Sequence, residues 1–456
     1  MSITIITILV YLAAMFGIAW YVSRHEGIEA YFLNTKSTGL WFMTFSTVAT
    51  VVGAGATIAV VAEVYDTGIS YGLALVVSFV VGMILFGILS PKIKELGDKY
   101  EARSIVDFFG SRFGQRNYKL AAAIQLILLT IWVAVQAIGV SSLASVLTGF
   151  DYATALYLSA AVTIIYTAMG GLKVDIVTDF IQFWIIVVTF VAMAIIGYLK
   201  IGSIGALIGQ LPVGHLNPFN YGGVSWVVGT VLISGFLYIG NATHWQRIFS
   251  AESTATARKS FFIAAPIAGA LGVIIVFLGL LAADVLPTVP KANAIFSLMT
   301  VMLPHWMIGL GFASILAVVM SSVDSLIVAG STIIHSFLYK GDEAKYKDIK
   351  SARWFTFAFG LFGYLLAFIV PDIVALSLLV SYLALIFVPA IFAGIYSAKT
   401  SNAACFYSIL LPTIILFVLN FYIPKQVFLI TTPLSILIIL FYDKLSSLRQ
   451  TTLKSQ

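Results

Sequence analysis

The sequence predicts an all-α integral-membrane protein of about 13 transmembrane helices, folded as a single domain over residues 1–456. Composition is the first reason. Of the residues, 61% are hydrophobic and 10% are charged, whereas soluble domains carry about 25% charged residues. Spacing is the second. Apolar runs close to the roughly 20 residues that cross about 30 Å of hydrocarbon recur from end to end. They fall near 3–22, 40–63, 71–93, 119–148, 152–169, 175–199, 224–248, 257–285, 308–339, 352–371, 373–397, 403–423 and 427–442. Charge is the third. With the N-terminus outside and sides alternating, only Lys200, Lys291 and Lys425 of the 25 basic residues fall outside, in line with the positive-inside bias. An error of one helix would scramble that split. The chain is therefore expected in the cell (cytoplasmic) membrane as a multi-pass protein with a cytoplasmic C-terminus. The net charge of +6 reflects topology, and nothing points to nucleic acid or to an obligate protein partner.

The first span, 3–22, lacks a basic start and a small-residue cleavage site, so it reads as a retained helix. The second contains Thr47-Val-Ala-Thr-Val-Val-Gly-Ala-Gly-Ala-Thr57. Gly53 and Gly55, set among small residues, invite the helix to unwind. Carbonyls freed at membrane depth are tolerated only in a cavity or where something coordinates them; close packing through small residues is the competing explanation. In the fourth span, Gln136 is either a substrate contact or an interhelical hydrogen-bonding group. The sixth opens with Asp175, expected near the inner interface and solvated, and Asp179 one turn further in.

A second interruption, Ser234-Gly-Phe-Leu-Tyr-Ile-Gly-Asn-Ala-Thr243, lies in the seventh span. The two interrupted spans each open a group of five helices, so the second group runs inverted: a first repeat at about 40–199 and a second at about 224–397. Paired broken helices at matching positions of inverted repeats point to a transporter binding site. The ninth span carries Ser321, Ser322, Asp324 and Ser325. Such groups in hydrocarbon mark a functional site, and oxygen ligands without histidine or cysteine suit a hard cation such as Na⁺. At helical spacing Val318, Ser321, Ser322 and Ser325 share one face, with Asp324 at its edge. Asp179 is placed to face this cluster from the other repeat.

The remaining spans complete the bundle. The longest loops are expected at 94–118, 200–223, 286–307 and 340–351. Cys405, the single cysteine, excludes an internal disulfide and reads as a small buried hydrophobe. His244 and His335 are expected at interfacial or hydrogen-bonded positions near inner helix ends, and His25, His215 and His305 in loops.

Two segments resemble the signatures of the sodium:solute symporter family: Tyr166-Thr-Ala-Met-Gly-Gly-Leu-Lys-Val-Asp-Ile-Val-Thr-Asp-Phe-Ile-Gln182 and Val319-Met-Ser-Ser-Val-Asp-Ser325. Gln246-Arg247 and Glu29-Ala-Tyr-Phe-Leu33 add to the likeness. The resemblance implies a LeuT-like 5+5 inverted repeat with one extra N-terminal and two extra C-terminal helices. It also implies Na⁺-coupled uptake of a small organic solute by alternating access, with Na⁺ as the coupling ion. Carried over by position, the main Na⁺ site uses carbonyls of Ala49, Val52 and Val318 and the hydroxyls of Ser321 and Ser322. A second Na⁺ site would fall on Asp179, Ser321, Asp324 and Ser325, although bacterial sialic acid carriers have a hydroxyl residue where this chain has Asp324. Substrate contacts would be Gly53, Ala56, Gln136, Tyr238 and Asn241. The chain departs from sodium/proline carriers, which have an aspartate near Val51, and from sugar carriers, which have a Glu-Gln pair near Ala54 and Gly55. With Arg247 expected at the inner end, the pocket reads as neutral, favouring a neutral or zwitterionic, amino-acid-like solute over organic acids and sugars.

Other classes fit less well. An enzyme needs a nucleophile, base or metal constellation, and none is evident. A solute sensor on this scaffold carries a signalling domain, for which the tail after Asp443 is too short. A channel needs a continuous pore, whereas paired broken helices suit occlusion.

Overall fold

The computed structural model describes residues 3–24, 26–286, 289–342, 346 and 348–454. Among them, apart from an isolated bridge between Thr38 and Ala251, regular structure is helical. The N-terminal half comprises α1 (Ile3–Ser23), α2 (Ile28–Leu33), α3 (Leu40–Val51), α4 (Ala54–Thr67), α5 (Ile69–Lys99), α6 (Ile105–Thr148), α7 (Tyr152–Ile201) and α8 (Ile204–Gln210). After α9 (Gly223–Ile233) and a 3₁₀ segment (Ser234–Gly240) come α10 (Ala242–Ser250), α11 (Thr254–Val285), α12 (Ala294–Met302), α13 (His305–Tyr339), α14 (Ile349–Ile369), α15 (Ile373–Tyr396), α16 (Asn402–Leu419) and α17 (Phe428–Lys454).

Nine described helices are long and apolar enough to cross a membrane, and α3 with α4, bent by 43° at Val52–Gly53, forms a tenth candidate. At about 1.5 Å per residue, the 50 residues of α7 exceed twice the hydrocarbon thickness. The helix turns at Gly171, whose φ of 63° suits glycine. A β-carbon there would lie 2.5 Å from the Tyr31 carbonyl oxygen. Three of the four expected loops are shorter than their sequence suggests: α5 runs on to Lys99 and α6 starts at Ile105 in the first, and α8 and α12 fill parts of the next two. Ser104 and Asp107 form a reciprocal capping box that starts α6.

The core is arranged around α13. Its most apolar 18-residue window is wholly buried, because α1, α6, α7 and α14 pack around it. A helix apolar on all sides belongs inside a bundle, and polar side chains on it must find protein partners or ligands. By contrast α1 is mostly lipid-facing and buries only Tyr11, Met15, Ala19 and Ser23. Cys405 is fully buried, as expected.

Candidate ion and solute site

The break between α3 and α4 stands directly against α13. Val52 leaves helical geometry at φ −86°, ψ 43°. The last carbonyls of α3 thereby lose their helical partners. Two serines of α13 take up the slack. The Ser321 hydroxyl donates to the Ala49 carbonyl at 3.0 Å and to that of Val318 at 3.1 Å. The Ser322 hydroxyl reaches the Thr50 carbonyl at 2.8 Å and that of Val318 at 3.3 Å. Each hydroxyl has one proton and stands between two acceptors, so carbonyl oxygens here outnumber donors. Ala49, Val52, Val318, Ser321 and Ser322 are all buried. The structure thus gathers four of the five expected ion-site residues, and Ser322 meets the carbonyl of Thr50 where that of Val52 was expected. Neutral oxygens without nitrogen or sulfur suit a hard cation, and among the described residues no His/Cys/Asp/Glu cluster offers a different metal site.

Beside this break lies a cavity of about 150 Å³. All five expected substrate-contact residues, Gly53, Ala56, Gln136, Tyr238 and Asn241, line it, together with Thr50 and Ser322 from the ion cluster. The side-chain amide oxygen of Gln136 accepts the Ala54 N–H at 2.8 Å, so it caps one of the free amides at the start of α4. Gly53 sits where nothing larger fits: a β-carbon would lie 2.5 Å from Ser322 Oγ and 2.8 Å from Gln136 Nε2. On the opposite wall the second broken span holds a 3₁₀ turn ending at Gly240. That turn packs so tightly on α15 that a β-carbon on Gly240 would lie 2.0 Å from the Ala384 carbonyl oxygen. Asn241 caps α10, its oxygen accepting from the Thr243 N–H at 3.0 Å. Among the described residues, no Asp, Glu, Lys or Arg lines the cavity.

The charges lie behind the cavity. Arg247, expected at the inner end, is 1% exposed and joins four helices. Its Nε donates to Ser46 Oγ at 3.0 Å. Its Nη2 lies 2.5 Å from Thr50 Oγ1, 2.7 Å from Ser325 Oγ, 3.1 Å from Asp175 and 2.9 Å from Asp179. Asp175, expected to be solvated, is likewise 1% exposed and accepts from Ser325 Oγ at 2.8 Å. Both departures have one cause: guanidinium and carboxylates can leave water only together, and here they do.

This cluster bears on the expected second Na⁺ site. Asp179, Ser321 and Ser325 meet there: Thr50 Oγ1 donates to Asp179 at 3.3 Å and to the Ser321 carbonyl at 3.2 Å, and Ser325 Oγ donates to that same carbonyl at 3.2 Å. Arg247 stands between Asp179 and Ser325, while Asp324 Oδ1 accepts from Thr167 Oγ1 at 2.5 Å, away from the arginine. Asp324 Oδ2 has no hydrogen-bond partner among the described residues.

A sequence model of the sodium:solute symporter family matches residues 31–411. The chain belongs to the sodium:solute symporter family. Members of that family are transporters, not enzymes, and Na⁺ is its coupling ion. The sodium/pantothenate symporter of Escherichia coli (strain K12) is 26% identical over a match that spans 42% of this chain and 41% of that protein. The sodium/proline symporter of Staphylococcus aureus is 26% identical over 76% of this chain and 71% of that protein. The fold is that of a Na⁺-coupled sialic acid symporter solved in a substrate-bound outward-open state, with a TM-score of 0.83, 18% identity, and coverage of 96% of this chain and 97% of that one.

Several features of this sodium:solute symporter were not anticipated from sequence. Ser377, Ser381 and Tyr382 of α15 line the cavity; two serines one turn apart in an apolar span were the available signal. Asp175 and Asp179, also one turn apart, were the signal for a buried cation. His244 is not interfacial. It is buried between the rings of Phe86 and Tyr238, with centroids at 5.3 and 5.4 Å. His335 is fully buried among Phe32, Tyr339 and Phe355. His215 lies in a connection as expected, yet is buried against the Tyr65 carbonyl at 3.0 Å. His305 opens α13 and is exposed, and His25 lies outside the described residues. Where α4 ends, Lys291 pairs with Glu63 at 2.7 Å and Asp66 at 3.1 Å. Burial pushes its ammonium down, but the bonds and charges of Glu63 and then Asp66 outweigh that and lift it above the ordinary lysine value.

Proposed function

We propose that this chain imports a small organic solute across the cell membrane, driven by Na⁺ bound between the α3–α4 break and α13. The contact of Ser321 and Ser322 with the Ala49, Thr50 and Val318 carbonyls carries this reading. A cation at that point would replace the hydroxyl protons as partner of the carbonyls and tie the broken helix to α13. Ser322 and Thr50 also line the cavity, so ion and solute would share a wall. Shared contacts give each ligand a stake in the other's binding, which is the reciprocal coupling a symporter needs. Val52 is the remaining proposed ligand, from the residue at the break itself.

Thirteen crossings follow if α7 counts as two spans at Gly171, the α3–α4 and α9–α10 breaks as one each, and α17 as one. That count supports a LeuT-like arrangement of two inverted five-helix repeats, with one helix before and two after. The sorting of basic residues supports an outer N-terminus and a cytoplasmic C-terminus.

The solute reading is neutral or zwitterionic and amino-acid-like. Supporting it are the uncharged cavity wall, its hydroxyl and amide groups, and the relation to a sodium/proline carrier. The solute contacts would be Gly53, Ala56, Gln136, Tyr238 and Asn241. An organic acid is the second reading, favoured by the relation to pantothenate carriers; its carboxylate would compete with Gln136 for the start of α4. One Na⁺ per cycle is preferred, because Arg247 already supplies positive charge where a second Na⁺ would sit among Asp179, Asp324, Ser321 and Ser325.

Uptake into proteoliposomes tests the proposal. Candidate amino acids and organic acids first found by thermal-shift screening should accumulate under an inward Na⁺ gradient, and stop when choline replaces Na⁺ at fixed pH. Ser321→Ala with Ser322→Ala should remove accumulation while leaving a folded protein. Na⁺ dependence should follow a Hill coefficient near 1; a value near 2 would restore the second site. Accumulation unchanged in choline would end the Na⁺ assignment.

A further inference from the structure

We propose that a lateral groove between the 3₁₀ segment, α15 and α17 binds one anionic phospholipid, its acyl chain along the apolar floor and its headgroup on Lys399 and Lys444. The groove has a volume of about 810 Å³, within the roughly 300–1,000 Å³ typical of ligand pockets. Its floor is formed by Phe236, Leu385, Val388, Phe392, Ile436 and Leu440. Measured along α17 from Thr432 to Lys444, it runs about 18 Å at 1.5 Å per residue. One leaflet contributes about 15 Å of hydrocarbon, so the floor matches a single acyl chain in one leaflet.

The polar end is concentrated at one rim. Ser397, Lys399, Thr400 and Lys444 lie there, and both lysines are exposed. Asp443 shares the rim, but one oxygen accepts from the Ser401 N–H at 3.0 Å and the other from its hydroxyl at 2.5 Å. That carboxylate holds the start of α16, and among the described residues the groove lining carries two lysines and one aspartate. The rim lies on the side that collects nearly all basic residues, where a bacterial or eukaryotic inner leaflet presents anionic headgroups. Ammonium groups at headgroup depth above an apolar floor are complementary to an anionic phospholipid; a free anion would leave the floor uncovered, and a zwitterionic lipid would bring the lysines no net negative charge. Leu385 lines both this groove and the central cavity, so the lipid tail would touch the wall of the solute site.

Native mass spectrometry of the detergent-purified full chain tests this, with phosphatidylglycerol and phosphatidylcholine added at equal concentration. The wild type should retain one phosphatidylglycerol at least fivefold more often than phosphatidylcholine, and excess inorganic phosphate should not displace it. Lys399→Gln with Lys444→Gln should abolish the preference, and the corresponding pair of Lys→Arg changes should keep it. Ala393→Trp, which fills the floor and leaves the charges, should also lose the lipid. Lys350→Gln, a cytoplasmic change away from the groove, should do nothing. Equal retention of the two lipids, or unchanged retention in either the double Gln or the Ala393→Trp variant, would overturn the proposal. Loss in Lys350→Gln equal to that in the double variant would do the same, by assigning the effect to general surface charge.

Discussion

Gly53 shows how one missing side chain holds two sites together. Because it lacks a β-carbon, the Ser322 hydroxyl and the Gln136 amide can both close on the backbone of the break. Adding one methyl group to a packed site costs about 1–3 kcal/mol when the surroundings cannot yield. Here the atoms that must yield are those proposed to hold Na⁺ and to cap α4. Gly53→Ala is therefore expected to weaken Na⁺ binding about tenfold, equivalent to roughly 1.4 kcal/mol, with little effect on folding. Trp132 lines the cavity, so Na⁺ titration followed by tryptophan fluorescence would read the change. An unaltered midpoint would show that the Ser322 hydroxyl need not stay where Gly53 allows it.

Between elements, Arg247 ties α10 to α3, α7 and α13. A buried ion pair adds little compared with an apolar replacement, but breaking one side of it costs about 3–5 kcal/mol. Arg247→Met should accordingly lower the thermal unfolding temperature of the purified protein sharply. Adding Asp175→Asn and Asp179→Asn should recover much of the loss. Arg247→Lys should recover less, since a point charge cannot span partners on three helices as a planar fork does. An unchanged unfolding temperature in Arg247→Met would mean that the two carboxylates do not depend on the guanidinium.

The broken helices were legible in the sequence because glycines among small residues signal unwinding within a single segment. The cluster around Arg247 was not. Its members come from four helices, and no periodicity along one chain segment reports which side chains meet across helices. Asp324 was legible as an anomaly and its site was not, because its partner Thr167 lies 157 positions away. The spans were readable from apolar run length. The two spans within α7 were readable as well, because Gly171, at φ 63° and ψ −164°, interrupts the helix between them.

At the scale of the whole molecule, α13 is a helix with almost no contact with lipid. That feature has a consequence for biogenesis. A helix carrying an aspartate near the bilayer centre faces an insertion penalty of about 3 kcal/mol from that residue alone, and its serines add to it. Of the four helices packed around it, α1, α6 and α7 precede it in the chain and only α14 follows, so Thr167, and Tyr11 whose hydroxyl meets Met320 Sδ at 3.7 Å, are already in place when residues 305–339 leave the ribosome. The nascent segment then enters a seat made by earlier helices, with no need to partition into lipid on its own. Integration of 305–339 in a glycosylation-mapping assay should thus be efficient behind the preceding helices and poor in an unrelated host protein, with Asp324→Leu removing the difference. Equal integration in both settings would show that this helix enters the bilayer unaided, and that the order in which the chain is synthesised has no part in building its centre.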